Sequence, residues 1–265
     1  MTQTRYEASI AGCRAHPCSS GDLLSEIESA IHERRKLSIV GLNLHGLYMY
    51  HKNTAFRALL HDDRTLVHID GMSIVWLARL FGGHVSAAQR TGCIDWFPDL
   101  LDRAAERGWR VYSLGGSRRV QEDGLAYMRR RQPDLAVDGR DGYFDMHDRT
   151  EAAAVVARIN AFKPDVLLVG MGMGRQEEWI LANIDRLDVP CITTMGACLE
   201  YFAGAVPMPP RILGPLGLEW LFRLVSDPRR FWRRYLVEPW AVALFLARDE
   251  LRLRLRLKRT DRVSS

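Results

Sequence analysis

Along the first two hundred residues of this 265-residue chain, short apolar runs alternate with stretches of helical spacing. That alternation limits the fold more than any other feature. Strands are predicted at Leu37–Gly41, Thr65–Ile69, Arg110–Leu114, Leu135–Asp138, Asp165–Val169 and Cys191–Thr194. Helical patterns fall near 20–34, 46–60, 72–81, 95–107, 117–131, 149–162 and 175–185. Strands that are apolar throughout, each followed by a helix, specify an α/β fold with a parallel sheet covered on both faces. In such sheets ligands bind beyond the carboxyl ends of the strands, so the residues just after each strand are the ones to inspect.

The pattern changes after Gly204. Pro207, Pro209, Pro210 and Pro215 mark a connector, and helical pieces follow at 216–226, 228–237 and 240–251. Pro228 suits a first helical position after Asp227, a competent N-cap. The stretch Leu251–Leu257 alternates with period two and fits a strand or an interfacial segment equally. Two divisions are therefore expected: a catalytic domain over 1–204 and a basic, aromatic appendage over 205–265. Residues 205–265 hold 13 Arg/Lys against 6 Asp/Glu, which leaves the preceding residues at a net charge of −2. Their cations interleave with aromatics: Trp220, Phe222, Arg223, Arg229, Arg230, Phe231, Trp232, Arg233, Arg234 and Tyr235.

A neutral body with such a tail points to an anionic surface: a membrane, a nucleic acid or a diphosphate-bearing substrate. Tryptophan and leucine beside arginine suit anionic lipid headgroups better than a nucleic acid, so no nucleic-acid partner is expected. The same exposed aromatics would also serve a homo-oligomer interface. No apolar run reaches the roughly 18–20 residues that cross a bilayer. Five cysteines, an odd number with no C-x-x-C pair, and an N-terminus without a signal-peptide pattern favour reduced thiols in the cytosol.

Several strand ends carry chemistry. His68-Ile-Asp70-Gly71 places a carboxylate at the cleft mouth, where Asp70 is either a general base or a cap for the following helix. Asn43 follows the first strand and is either a polar-substrate contact or a turn residue. Gly115-Gly116-Ser117 joins a strand to a helix and fits a phosphate cradle, because exposed N–H groups and the helix dipole would face the anion. Gly170-Met-Gly172-Met-Gly174-Arg175-Gln176-Glu177 lacks dinucleotide spacing, yet Gly172 allows close backbone approach and Gln176 is placed to read a sugar or nucleotide. Arg90, before the next helix, either neutralises a phosphate or is simply exposed. No D-x-D triplet, no His/Cys/Asp cluster of metal spacing and no Gly-x-Ser-x-Gly elbow occurs. No metal or cofactor is expected, so arginines and backbone N–H groups would have to meet any leaving-group charge.

Taken in order, His68-Ile-Asp70-Gly71-Met-Ser-Ile-Val, Gln89-Arg90-Thr-Gly92, Leu114-Gly-Gly-Ser117, Gly170 to Ile180, Gly196 to Gly204 and Gly217-Leu-Glu-Trp220-Leu-Phe-Arg223 resemble the WecG/TagA/CpsF family of bacterial glycosyltransferases. The resemblance implies a Rossmann-like core, metal-independent inversion at the anomeric carbon, a UDP-sugar donor and a polyprenyl-diphosphate-linked sugar acceptor. It also implies an appendage that docks peripherally on the cytoplasmic face of the inner membrane. Asp70 corresponds to that family's proposed base, and Asn43, Arg90 and Gln176 to pocket positions. Arg211, Arg223, Arg229 and Arg230 lie among appendage arginines that reach a diphosphate. Gly41 stands where the family often has Thr, and Gly174 where it often has Pro. The Ile-Asp-Gly-Met context favours a xanthan-type exopolysaccharide glucosyltransferase using UDP-glucose to form a β-1,4 bond. The alternative is N-acetylmannosamine or its uronic acid, in teichoic acid or enterobacterial common antigen type assembly. A non-enzymatic anionic-surface or nucleic-acid binder is the competing class.

Overall fold

The structure, a computed structural model, describes residues 8–10 and 12–249. β1 (Ala8–Ile10) and β2 (Cys13–Ala15) form an antiparallel hairpin. Then come α1 (Ser20–His32), β3 (Leu37–Leu42), α2 (Leu44–Lys52), α3 (Thr54–His61), β4 (Thr65–Ile69), α4 (Met72–Leu80), α5 (Cys93–Arg107), β5 (Arg110–Gly115) and α6 (Arg118–Arg131). β6 (Ala136–Arg140), α7 (Arg149–Phe162), β7 (Val166–Gly170), α8 (Arg175–Asn183), β8 (Cys191–Thr194) and α9 (Cys198–Phe202) complete the body. All six expected strands are present and pair in parallel, in the order β4-β3-β8-β7-β5-β6.

Alternate strand residues feed two cores, one on each face of the sheet. Val40 and Leu42 of β3 point into one core, with Leu167 and Val169 of β7. Leu37 and Ile39 point into the other, with Val166 and Leu168. This is the Rossmann-like arrangement, and it explains why the strands read as continuous apolar runs. The edge strand β4 is covered by the segment after the hairpin. There the His16 N–H donates to the Val67 carbonyl at 2.7 Å, and the Val67 N–H donates back to His16 Nδ1 at 3.0 Å.

Two helical expectations need correction. The single helix expected over 46–60 is two helices, α2 and α3. Asn53 leaves the helical region and caps α3, its side chain accepting from the Phe56 N–H at 2.9 Å. In the tail, α10 (Glu219–Ser226) and α11 (Pro228–Trp232) form, with Asp227 capping α11 as expected. The helices expected at 228–237 and 240–251 are joined: helix continues through 249, with a π turn at Arg233–Val237. A widened turn just before Pro239 accommodates a residue that has no N–H and would crowd the preceding carbonyls. Val242 on this last stretch is buried in the first core, and Phe245 packs against Tyr48 and His51 of α2. The tail therefore folds back over α2 at the carboxyl ends of the strands. Leu251–Leu257 lies outside the described residues.

Candidate active site

Strand register builds the centre of the site. β3 and β4 pair with Leu42 opposite Ile69, so the next residues on each strand, Asn43 and Asp70, emerge side by side. Asn43 caps α2 by accepting from the Gly46 N–H at 3.0 Å, which turns its amide nitrogen toward Asp70 Oδ2 at 2.9 Å. Asp70 is not the helix cap: Gly71 holds the N-cap position of α4, with no side-chain capping bond. One Asp70 oxygen is thus oriented by Asn43 while the other has no partner among the described residues.

His68 lies buried next to this carboxylate. Thr91 Oγ1 donates to the Ile69 carbonyl at 3.3 Å, so it accepts from His68 Nδ1 at 2.8 Å, and the proton belongs on Nδ1. Burial holds His68 below the usual histidine range, although Asp70 opposes this. The ring is therefore neutral and places no cation beside the Asp70 carboxylate. Gly41 leaves room for it: a Cβ there would come within 3.1 Å of His68 Nε2 and 3.3 Å of Asp70 Cβ. A hydroxyl is nonetheless supplied nearby, since Thr194 Oγ1 accepts from the Gly41 N–H at 3.3 Å.

Asp70 stands in the wall between two cavities. The larger, about 310 Å³, is lined by Met72, Ser73, Trp76, His45, Trp220 and Tyr235 among others. The smaller, about 130 Å³, is lined by Gly172, Gln176, Thr194, Gly196, Tyr201 and Arg230 among others. Asn43, Asp70, Arg223 and Arg234 line both. The Nε atoms of Arg223 and Arg234 are buried without a partner. Burial weighs against the Arg223 cation, but Tyr201, Tyr235 and Asp70 outweigh it and keep its pKa above the ordinary arginine value. Burial pushes Arg234 below the ordinary arginine value; Tyr235 opposes this and Arg223 adds to it. Two enclosed guanidinium groups with unused Nε donors have the chemistry to meet an anion.

The remaining expected residues divide. Gln176 is buried, donating to Glu177 Oε1 at 2.7 Å and accepting from the Gly196 N–H at 3.2 Å. Glu177 also accepts from the Gly174 N–H at 2.5 Å, so the loop with Gly174 in place of Pro is pinned rather than loose. Burial pushes the Glu177 carboxyl up to about 7, against those hydrogen bonds. Arg230 makes a two-pronged pair with Glu200, at 2.8 and 3.2 Å, on the rim of the smaller cavity.

Gly115 and Gly116, expected as a phosphate cradle, are packed against β7. A Cβ on Gly115 would lie 2.3 Å from the Gly170 carbonyl, and the Gly116 N–H is spent on that same oxygen at 3.0 Å. The pocket beside them holds about 10 Å³, room for a single water. These glycines let β5 pack closely on β7. Arg90 lines neither cavity. Its guanidinium, only 6% exposed, pairs with Asp95 at 2.7 Å and Glu219 at 3.5 Å. Arg211 joins Asp95 at 3.0 Å and donates to the Ile94 carbonyl. The two arginines clip α10 to the start of α5. Arg229 is exposed, without an ion pair to a described residue.

Sequence reasoning missed His45, Trp76 and Arg234. Arg234 had a usable signal: it follows Arg230 by four residues, which places both on one helix face. Among the described residues, no three His, Cys, Asp or Glu side chains converge as a metal site.

The strand tips of a doubly wound sheet thus carry a carboxylate with one unpartnered oxygen among the described residues and two enclosed arginines. The chain belongs to the glycosyl transferase WecG/TagA/CpsF family, whose family model matches residues 8–256. It is similar to N-acetylglucosaminyldiphosphoundecaprenol N-acetyl-beta-D-mannosaminyltransferases of Staphylococcus aureus strains MW2 and NCTC 8325 / PS 47. Each is 34% identical over 146 residues, covering 55% of this chain and 56% of the relative. The chain thus aligns with little more than half the length of these curated relatives.

Proposed function

We propose that this protein is an inverting glycosyltransferase that moves N-acetylmannosamine from a UDP-sugar to a polyprenyl-diphosphate-linked N-acetylglucosamine. The relatives carry an aminosugar in their names and none of those above carries glucose, so the glucose donor expected from the sequence is replaced by its alternative. The observation that carries the reading is Asp70 in the common wall of two cavities, oriented by Asn43 and flanked by Arg223 and Arg234. The polar cavity, with Gln176, Thr194 and backbone at Gly172 and Gly196, suits the nucleotide sugar. The aromatic one, with Trp76, Trp220 and Tyr235, suits the sugar that arrives on a lipid. Asp70 accepts the proton of the acceptor hydroxyl as its oxygen attacks the anomeric carbon from the opposite cavity. Arg223 and Arg234, with Arg230 at the rim, stabilise the UDP that leaves.

The acceptor implies a membrane. Ile212, Leu216, Val225, Trp240 and Leu244 are each at least 70% exposed except Leu216 at 56%, and they lie on the same segment as Arg229 and Arg233. No described helix is long and apolar enough to cross a membrane. This supports peripheral docking on an anionic surface. The decisive experiment supplies a short-chain lipid-diphosphate N-acetylglucosamine with UDP-N-acetylmannosamine, UDP-N-acetylglucosamine or UDP-glucose, with and without EDTA. UDP release from the N-acetylmannosamine donor, in both conditions, is expected. Release only from UDP-glucose, or only with a divalent cation, would overturn the donor or the arginine assignment respectively.

A further inference from the structure

We propose that His45 is an acceptor-specificity residue, whose Nε2 takes a hydrogen bond from a hydroxyl or acetamido N–H of the sugar in the larger cavity. Glu238 of the tail is the positioning residue that sets this role. The inference rests on the acceptor reading above and goes beyond it by assigning a recognition group.

His45 lies in the first turn of α2, two residues after Asn43, and lines the larger cavity together with Asp70. Its Nδ1 is 2.6 Å from Glu238 Oε2, and the two side chains are 19% and 16% exposed. An ionised carboxylate only accepts, so Nδ1 carries the proton. Burial, and after it the Arg234 cation, hold the imidazole below the usual histidine range despite Glu238. Nε2 is then a bare lone pair. It has no partner among the described residues and, unlike Nε2 of His51, it is not fully enclosed.

Most other polar groups around this cavity are already assigned or can only donate; the exceptions are the Ser73 and Tyr235 hydroxyls, which can donate as well as accept, whereas His45 Nε2 can only accept. Asn43 is committed to Gly46 and Asp70, Glu219 faces Arg90, and Arg223 and Arg234 can only donate. A sugar presents several donors. The attacking hydroxyl goes to Asp70, and a second donor needs a second acceptor, which His45 provides. Glu238 lies in the helix beyond the π turn. The tautomer is therefore fixed by a residue of the tail, 193 positions away in sequence.

Two substitutions separate the two ring nitrogens. His45→Asn can place an amide N–H where Nδ1 was, which keeps the bond to Glu238 but removes the acceptor. His45→Gln can place an amide oxygen where Nε2 was. Binding of the full chain is measured by calorimetry to UDP and to short-chain lipid diphosphates bearing N-acetylglucosamine or glucose. His45→Asn is expected to weaken acceptor binding about tenfold, the scale of one hydrogen bond, with UDP affinity unchanged. His45→Gln should retain most of it, and Glu238→Leu, which removes the acceptor of the Nδ1–H, should raise the acceptor KM with little change in kcat. If the donor is the acetamido N–H, His45→Asn loses the preference for N-acetylglucosamine over glucose; if a hydroxyl, both acceptors weaken equally. Unchanged acceptor binding by His45→Asn, or weakened UDP binding instead, overturns the inference alone. A wild-type protein that binds UDP but neither acceptor overturns the acceptor reading and this inference with it.

Discussion

Glu177 offers a test of the site's construction that does not depend on knowing the substrate. Its side chain is fully buried beside Gln176, and burial raises its carboxyl from 4.5 to about 7. Because folding raises this pKa, the associated stability is fully present below about pH 4.5 and is lost as pH rises through about 7. The gap corresponds to roughly 3 kcal/mol at 1.36 kcal/mol per pH unit. That is a large share of the about 5–15 kcal/mol that holds an ordinary domain together. Glu177→Gln removes the titration but keeps the shape. A single amide oxygen cannot reach both the Gly174 N–H and Gln176 Nε2, so the variant gives up one of the two bonds that the ionised carboxylate accepts. Urea unfolding of both proteins between pH 5 and pH 8 isolates the effect, since other titrating groups cancel in the difference. The stability of the wild type relative to Glu177→Gln should fall by about 2–3 kcal/mol across that range. A difference that stays constant with pH would refute the reasoning.

Asp70→Asn can keep an oxygen toward Asn43, so it should unfold like the wild type and bind UDP normally while UDP release slows by about 10²–10⁴-fold. Arg90→Lys should destabilise the protein by about 1–3 kcal/mol, because one ammonium cannot serve both Asp95 and Glu219. A rise in donor KM with no loss of stability would return Arg90 to substrate binding. Trp232→Ser with Trp240→Ser should weaken flotation with anionic vesicles about tenfold or more, while UDP binding stays intact. Arg234→Met should abolish the rise in Tm that UDP gives the wild type. It should also make the ligand-free protein more stable by about 1–2 kcal/mol, since it removes a buried, unpartnered donor.

The sheet was legible because each central strand is buried on both faces, so its apolar run survives without knowledge of its neighbours. The positions of Asn43 and Asp70 were legible for a related reason: both sit one residue past a readable strand, at the carboxyl end of the sheet. The hairpin β1–β2 was not, since three-residue strands are too short to show alternation. The packing of Gly115 and Gly116 was not legible, because a glycine pair before a helix looks the same whether the backbone approaches a phosphate or a neighbouring strand, as it does here. Only the position of the Gly170 carbonyl decides between them.

Arg90 and His45 fail for a deeper reason. Their roles are set by Glu219 and Glu238, which are 129 and 193 residues away in sequence, and no local pattern encodes such a meeting. What the sequence did show was the charge imbalance of the tail, and the structure divides that charge by burial. Arg229 and Arg233 stay exposed, Arg211 joins the clip with Arg90, and Arg223 and Arg234 are enclosed against Asp70 with donors unused. An enclosed guanidinium with an idle N–H is unfavourable unless something arrives to use it. The tail therefore completes the wall between the two cavities, and under the function proposed above the cost of holding its arginines there is offset when an anion lies between them.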